Sequence, residues 1–480
     1  MKKTLLTLLI LIQFGFVNAN NIQVSNISLA GNTINFSLSW ENSWKDTINH
    51  DAAWVFIKYR YPNPNWKHAI LQTNGHVAPS GCIIESTSDG IGVYIYRSGG
   101  LGNNNFQGVQ LKWNLAANGI IFTDSIQIKV CAIEMVYVPQ GSFYIGDGIA
   151  TGSFRQAANN TPVLISPTAA IVKCGSTQFD DAQLSGAGIL VDGDGGIDSQ
   201  GATTVNNPNY PTGYKAFYCM KYETSQGQYA DFLNSLTAAQ FANRYYVFNL
   251  LRYTLGGSWP NIIASVPERA MNHTSWMDLC AYADWVGLRP MTELEFEKAC
   301  RGPLSPVAGE YAWGNTSIFN TAHILSNNGA ANELVANQGQ GVGNASYEIT
   351  DGSIDGPLRC GIFAAGAVNK TRVETGSTFW GIMEMSGNMW ERVVNLGSNA
   401  GRNYTGLHGD GVLDEYGNAT VANWPGMVSG AITAANGSGF RGGTYYLPSS
   451  YLNLSNRFYA SDALLVRNGD FGCRFVRTAP

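Results

Sequence analysis

From residue 21 the chain is patterned in short runs of alternating apolar and polar positions. Asn21-Ile-Gln-Val-Ser-Asn-Ile-Ser-Leu, Thr33-Ile-Asn-Phe-Ser-Leu-Ser-Trp, Ala53-Trp-Val-Phe-Ile-Lys-Tyr-Arg, Gly92-Val-Tyr-Ile-Tyr-Arg and Ser125-Ile-Gln-Ile-Lys-Val read as strands separated by clusters of Gly, Asn and Pro. A period of two puts one row of side chains on each face of a strand. Several such runs bounded by turn residues predict a sandwich-like all-β domain over 20–133. A second region runs over 134–480 and opens on strand, turn and strand in Met135-Val-Tyr-Val-Pro-Gln-Gly-Ser-Phe-Tyr-Ile-Gly. Residues 147–213 are then rich in Gly, Asn, Ser and Thr. That is too long for an ordinary connection, so it reads as an insertion.

The period changes to that of a helix after residue 224. Ser225 with Gln228, Ser275 with Asp278, and Thr292 with Glu295 each precede apolar residues on one face. In a capping box the hydroxyl accepts from an orphan backbone N–H, and the side chain three residues on reaches back. Gly287 supplies a stop for the second helix. Beyond about residue 302 no helix is predicted, and Gly, Asn, Trp and Tyr dominate. Such backbone needs side-chain hydrogen bonds or bound ions to satisfy its polar groups.

Composition narrows the setting. Lys2 and Lys3 followed by the apolar run Leu5 to Val17, ending in Val17-Asn18-Ala19, read as a secretory signal peptide over 1–19. No Cys stands at the cleavage point, so the protein is expected in the periplasm or the medium without a lipid anchor. No later run approaches the ~20 apolar residues of a membrane span. The net charge is -5, and basic runs that would recruit nucleic acid are missing. Eight cysteines at 82, 131, 174, 219, 280, 300, 360 and 473 form no CxxC pair, which argues against a zinc ribbon. They fit either disulfides or small buried hydrophobes. His50, His68 and His76 are scattered and are expected at the surface.

Seven blocks then resemble the sulfatase-modifying-factor domain of formylglycine-generating enzymes. They are Met135–Gly146, Lys221-Tyr-Glu-Thr-Ser-Gln-Gly-Gln-Tyr, Leu288-Arg-Pro-Met-Thr-Glu-Leu-Glu-Phe-Glu-Lys-Ala-Cys-Arg-Gly, Tyr311-Ala-Trp-Gly-Asn, Gly381-Ile-Met-Glu-Met-Ser-Gly-Asn-Met-Trp-Glu, Phe440-Arg-Gly-Gly-Thr-Tyr and Phe471-Gly-Cys-Arg-Phe-Val-Arg. They follow the family order. The resemblance implies an α+β, C-type-lectin-like fold with little regular structure. It also implies where oxidase chemistry would sit, because active members bind copper through two cysteines just after a Gly-Gly-Ser segment, thiolates being the soft ligands Cu(I) prefers. Here the stretch is Gly442-Gly-Thr-Tyr-Tyr-Leu-Pro-Ser-Ser-Tyr-Leu, and Leu447 and Leu452 stand at the aligned positions. Copper is therefore not expected. Calcium is the cation the resemblance still implies, at Glu384, Gly387, Met389 and Glu391, with Gly387 and Met389 acting through carbonyls. Glu384 stands where the family usually has a neutral amide and keeps an oxygen donor of the type a hard cation needs.

Other motifs weigh less. Asp192-Gly-Asp194-Gly-Gly-Ile-Asp198 lacks the twelfth-position Glu of an EF-hand and reads as a polar turn. His408 beside Asp410, Asp414 and Glu415 reads as a salt-bridged loop residue. Hydrolase and phosphate-binding signatures do not occur. Tyr445, Tyr446 and Tyr451 flank the vacated copper positions and are expected to line a cleft, since aromatic faces with polar tips suit sugars or peptide segments. The sequence reads best as an exported, non-catalytic binding or scaffold protein for a protein segment or glycan. The alternatives are a formylglycine-generating oxidase acting on a sulfatase cysteine, or a structural subunit of a gliding or secretion machine among envelope proteins.

Overall fold

The computed structural model describes residues 21–61, 65–121, 126–149, 152–156, 161–167, 174–175, 189–190 and 207–480. The expected leader and the Asp192–Asp198 loop lie outside the described residues. The architecture is α+β, built on one 11-stranded sheet. Its main order is Ser438–Arg441, Trp390–Val394, Arg289–Thr292, Phe475–Thr478, Phe217–Met220, Gln127–Val138, Asp51–Arg60, Val93–Arg97 and Cys82–Ser86. Gln127–Val138 is the strand on which everything else is arranged. It pairs with the whole of Asp51–Arg60, from Gln127 opposite Arg60 to Val136 opposite Asp51. Its last four residues also pair with Phe217–Met220. The ladder therefore crosses residues 133 and 134 without a break.

The strand Asp51–Arg60 shows why the sequence alternates imperfectly here. Trp54 and Phe56 face one apolar cluster, together with helices Gln226–Leu233 and Trp276–Trp285. Val55, Ile57 and Tyr59 face another. A strand covered on both faces is apolar almost throughout. The second cluster is closed by a three-stranded antiparallel sheet of Gln23–Ala30, Thr33–Lys45 and Gly100–Lys112, which contributes Phe36, Leu38, Trp40, Phe106 and Leu111. Gly100–Lys112 was not expected as a strand. Its glycines and asparagines give weak strand propensity, and it forms by pairing along Thr33–Lys45, with bulges near Phe36 and Trp40.

The three expected helices form with both halves of each capping box made. Gly287 follows the second in left-handed conformation, φ 73°, as a helix stop requires. A fourth box, Thr237 with Gln240, starts the helix Ala238–Arg244. The expectation of no helix past residue 302 is corrected by single turns at Glu348–Asp351, Ile362–Gly366 and Asn399–Arg402. They are too short to show a periodic apolar face.

Two further expectations change. His50 and His68 are buried rather than at the surface. The region after residue 207 covers them: Nε2 of His50 lies 3.0 Å from the Tyr218 hydroxyl. Nδ1 of His68 lies 3.0 Å from Nζ of Lys58, which also donates to the carbonyl of Gly411. The seven cysteines with described side chains are free thiols, five of them buried.

Helix Glu293–Arg301 lies in the middle of a buried ion-pair network. Glu293 accepts from Arg457 at 2.7 Å and Arg441 at 2.8 Å, and Glu297 accepts from Arg441 at 2.7 Å and Arg301 at 3.1 Å. All five side chains are fully enclosed. Arg441 ends the strand Ser438–Arg441, so this network fixes the start of the loop that follows it.

Candidate functional site

That loop begins with Gly442 and Gly443, at φ 88° and 77°. A side chain at Gly443 would meet Leu452 Cδ1 at 2.5 Å, so glycine is needed both for conformation and for space. The loop hangs on the Gly387-Asn388 turn. Gly387 N–H donates to the Gly442 carbonyl at 2.8 Å, Tyr445 N–H to the Asn388 carbonyl at 2.9 Å, and Thr444 Oγ1 to the same carbonyl at 3.3 Å. Two blocks far apart in the sequence thus form one structure.

The two leucines at the aligned copper positions part company. Leu452 is fully buried among Tyr311, Trp313, Ala345 and Tyr347, and its carbonyl accepts from Ser386 Oγ at 2.8 Å. Leu447 is half-buried and packs on the cluster of Trp390, Phe440 and Phe471. It lines a cavity of about 130 Å³. The three tyrosines separate as well. Tyr446 is 47% exposed and lines this cavity. Tyr451 stacks on Tyr459 at 5.7 Å. Tyr445 turns inward and is buried with Tyr222, Ala270, Cys360 and Met389, so it supports the cleft from behind.

Asp470 faces the same cavity and was not singled out by sequence. It is 1% exposed and lies beside the Tyr446 hydroxyl and the Trp390 indole. Burial pushes its carboxyl up to about 6, with the Tyr446 hydroxyl, Arg392 and the Trp390 indole pulling the other way.

The four residues expected to hold calcium lie around the same turn. The Glu384 carboxylate accepts from Gly361 N–H at 3.0 Å through Oε1, and its Oε2 is buried without a partner. Glu384 holds φ 52°. Glu391 accepts from Arg474 Nε at 2.7 Å through Oε1, and its Oε2 is likewise unpartnered. Met389 N–H donates to Glu223 at 3.0 Å, and the Asn388 side chain donates to the same carboxylate. Burial raises the carboxyls of Glu223, Glu384 and Glu391, that of Glu384 to about 7, while Arg474 lowers each. The two orphaned oxygens are donors of the kind a hard cation takes. Arg474 already supplies a positive charge to Glu391. Among the described residues no three His, Cys, Asp or Glu side chains converge closely enough to hold a metal ion.

Copper does not fit. Leu447 and Leu452 offer no donor, and no cysteine lines the cavity. Burial raises every described thiol, Cys131 to about 11 and Cys82 and Cys219 to about 12. That is opposite to what a thiolate ligand requires. The His408 loop is held by hydrogen bonds from backbone N–H groups. His408 Nε2 accepts from Thr478 N–H at 3.1 Å, and Asp414 accepts from Tyr416 and Asn418 N–H. No helix among the described residues is long and apolar enough to cross a membrane.

A family model for the sulfatase-modifying factor enzyme 1-like domain matches residues 127–479. The formylglycine-generating enzyme of Bos taurus is 30% identical over 128 residues, 21% of this chain and 34% of that protein. The formylglycine-generating enzymes of Thermomonospora curvata and Streptomyces coelicolor are each 45% identical over 53 residues, 11% of this chain. Those matches cover 17% and 16% of the two bacterial proteins, so the chain spans about a third or less of the relatives it matches.

Proposed function

Because the chain belongs to the sulfatase-modifying factor enzyme 1-like domain family, we propose that it is a binding member of that family that has given up cysteine oxidation. Its ligand is a protein segment or glycan seated over Leu447, Tyr446 and the aromatic residues beneath them. The observation that carries this reading is the apolar pair Leu447 and Leu452 at the positions aligned with the two copper-binding cysteines. Leu452 is locked into the core, and Leu447 adds an apolar surface to a cavity already walled by aromatic rings. Such a site excludes the metal and retains the shape complementarity that small ligands use.

The protein acts outside the cytoplasm after removal of residues 1–19. The region 20–133 is a sandwich-like module that braces the family domain through the shared sheet. Calcium is the cofactor of this reading. Glu384 and Glu391 would supply carboxylate oxygens, and Gly387 and Met389 would supply carbonyls. When bound, the ion would contribute charge neutralisation and loop rigidity.

The decisive test is an oxidation assay on the mature protein. It is loaded with Cu(I), given a sulfatase-motif cysteine peptide in air, and run beside a cysteine-containing family member as the positive control. No aldehyde product is expected by mass spectrometry. Aldehyde formation at a rate comparable to the control would overturn the reading.

A further inference from the structure

The cavity beside Leu447 is walled by Trp390, Phe440, Tyr446, Tyr459 and Phe471, with Asp470 facing inward among them. Its rings are set at steep angles rather than stacked. Trp390 and Tyr459 meet at 76° and 5.5 Å, Trp390 and Phe440 at 50° and 5.8 Å, and Phe440 and Phe471 at 42° and 4.5 Å. Aromatic faces are electron-rich and attract a cation that comes within reach of them. A buried carboxylate beside neutral hydroxyl and indole groups is costly unless something positive meets it.

The resident charges leave room for such a group. Asp462 also lines the cavity, and no Lys, Arg or His does. Arg392 does not line the cavity but sits over two of its rings, its guanidinium 4.3 Å from the Phe440 ring and 5.2 Å from that of Phe471. There it donates to the Leu464 carbonyl at 2.6 Å and to Ser438 Oγ at 3.3 Å. One guanidinium thus stands against two carboxylates, and the site carries a net negative charge. At about 130 Å³ the cavity exceeds several times the ~30 Å³ share of a liquid water molecule. That admits an ammonium or guanidinium head with its nearest methylenes.

We infer that this cavity binds an organic cation, the side chain of a lysine or arginine on a protein segment lying in the cleft. This rests on the binding reading above and narrows its ligand to a basic peptide. Asp470 pairs with the cation, and the aromatic walls hold its charge and its methylenes.

The test is calorimetric titration of the mature protein with capped lysine amide and capped arginine amide. Capped norleucine and citrulline amides serve as neutral isosteres, and glucosamine as an amino sugar. At least one basic amide is expected to bind saturably, tenfold or more tighter than its isostere. Asp470→Asn, nearly isosteric, should cut that affinity at least tenfold with an unchanged circular dichroism spectrum. Should it unfold, the half-buried Asp462→Asn gives the charge test and should produce a smaller loss. Equal affinity for the neutral isosteres overturns the cation assignment while leaving an apolar binding cleft. Glucosamine binding in preference to both basic amides, or no saturable binding by either, also overturns it. Aldehyde formation in the copper assay overturns instead the reading beneath it.

Discussion

Residues 21–121 and residues 289–480 form their interiors in opposite ways. The first region buries alternating strand positions against one another, so that Ile34, Phe36, Leu38, Val55, Ile57 and Leu111 make an ordinary apolar core. The second threads irregular chain through a core in which Arg289, Arg301, Arg359, Arg392, Arg441 and Arg457 are almost wholly enclosed. Regular ladders satisfy backbone groups at no cost in side chains. A chain that abandons them must bring in donors, and arginine carries five in one planar fork. Carbonyls of Leu454, Leu464, Met220 and Lys221 all accept from buried guanidinium groups. The first region derives its stability from area, and the second obtains its shape from pairing.

That contrast can be broken from either side. The largest effect is expected for Glu293→Ala, which strands Arg441 and Arg457 in the interior. It should cost about 3–5 kcal/mol, read as a shift of the urea midpoint. Leu38→Ala removes only apolar contact and should cost about 3 kcal/mol by the same measurement. If the two losses are reversed in rank, the division drawn here does not hold. The cleft adds a pH dependence. A basic ligand pairs with ionised Asp470, whose carboxyl sits at about 6, so affinity should be level above that pH. It should fall about tenfold between pH 7 and pH 5, roughly 1.4 kcal/mol. Arg392 stays cationic over this range, and Tyr446 and Tyr459 stay neutral. Asp462, also raised by burial, acts in the same direction. Asp470→Asn should flatten the profile in calorimetry. The smallest effect belongs to Thr237→Ala, which removes one hydroxyl cap from the helix Ala238–Arg244. It should cost about 1 kcal/mol in thermal denaturation.

What could be read from the sequence follows the same division. Strand alternation announced Thr33–Lys45 and Asp51–Arg60, and capping boxes located three helices, because both signals are local. The box at Thr237 was passed over because Ala238-Ala-Gln-Phe-Ala offers no apolar stripe. The burial of His50 and His68 had no local signal at all, since their cover comes from residues more than a hundred positions away. In the candidate site, Leu447 and Tyr446 were visible through the family resemblance. Asp470 was not, because an aspartate after Asn-Gly looks like a surface turn until Trp390, Phe440 and Phe471 are seen around it.

The unbroken pairing of Gln127–Val138 with Asp51–Arg60 bears on anyone who would trim this protein to its family domain. A chain beginning at residue 127 would keep every family block and lose the strand that pairs with residues 127–136. The stretch 127–134, which Phe217–Met220 does not reach, would then face water with its N–H and C=O groups unclaimed, the template on which copies of a protein add to one another and leave solution. The first hundred residues, whatever else they contact, act as the built-in chaperone of that sheet.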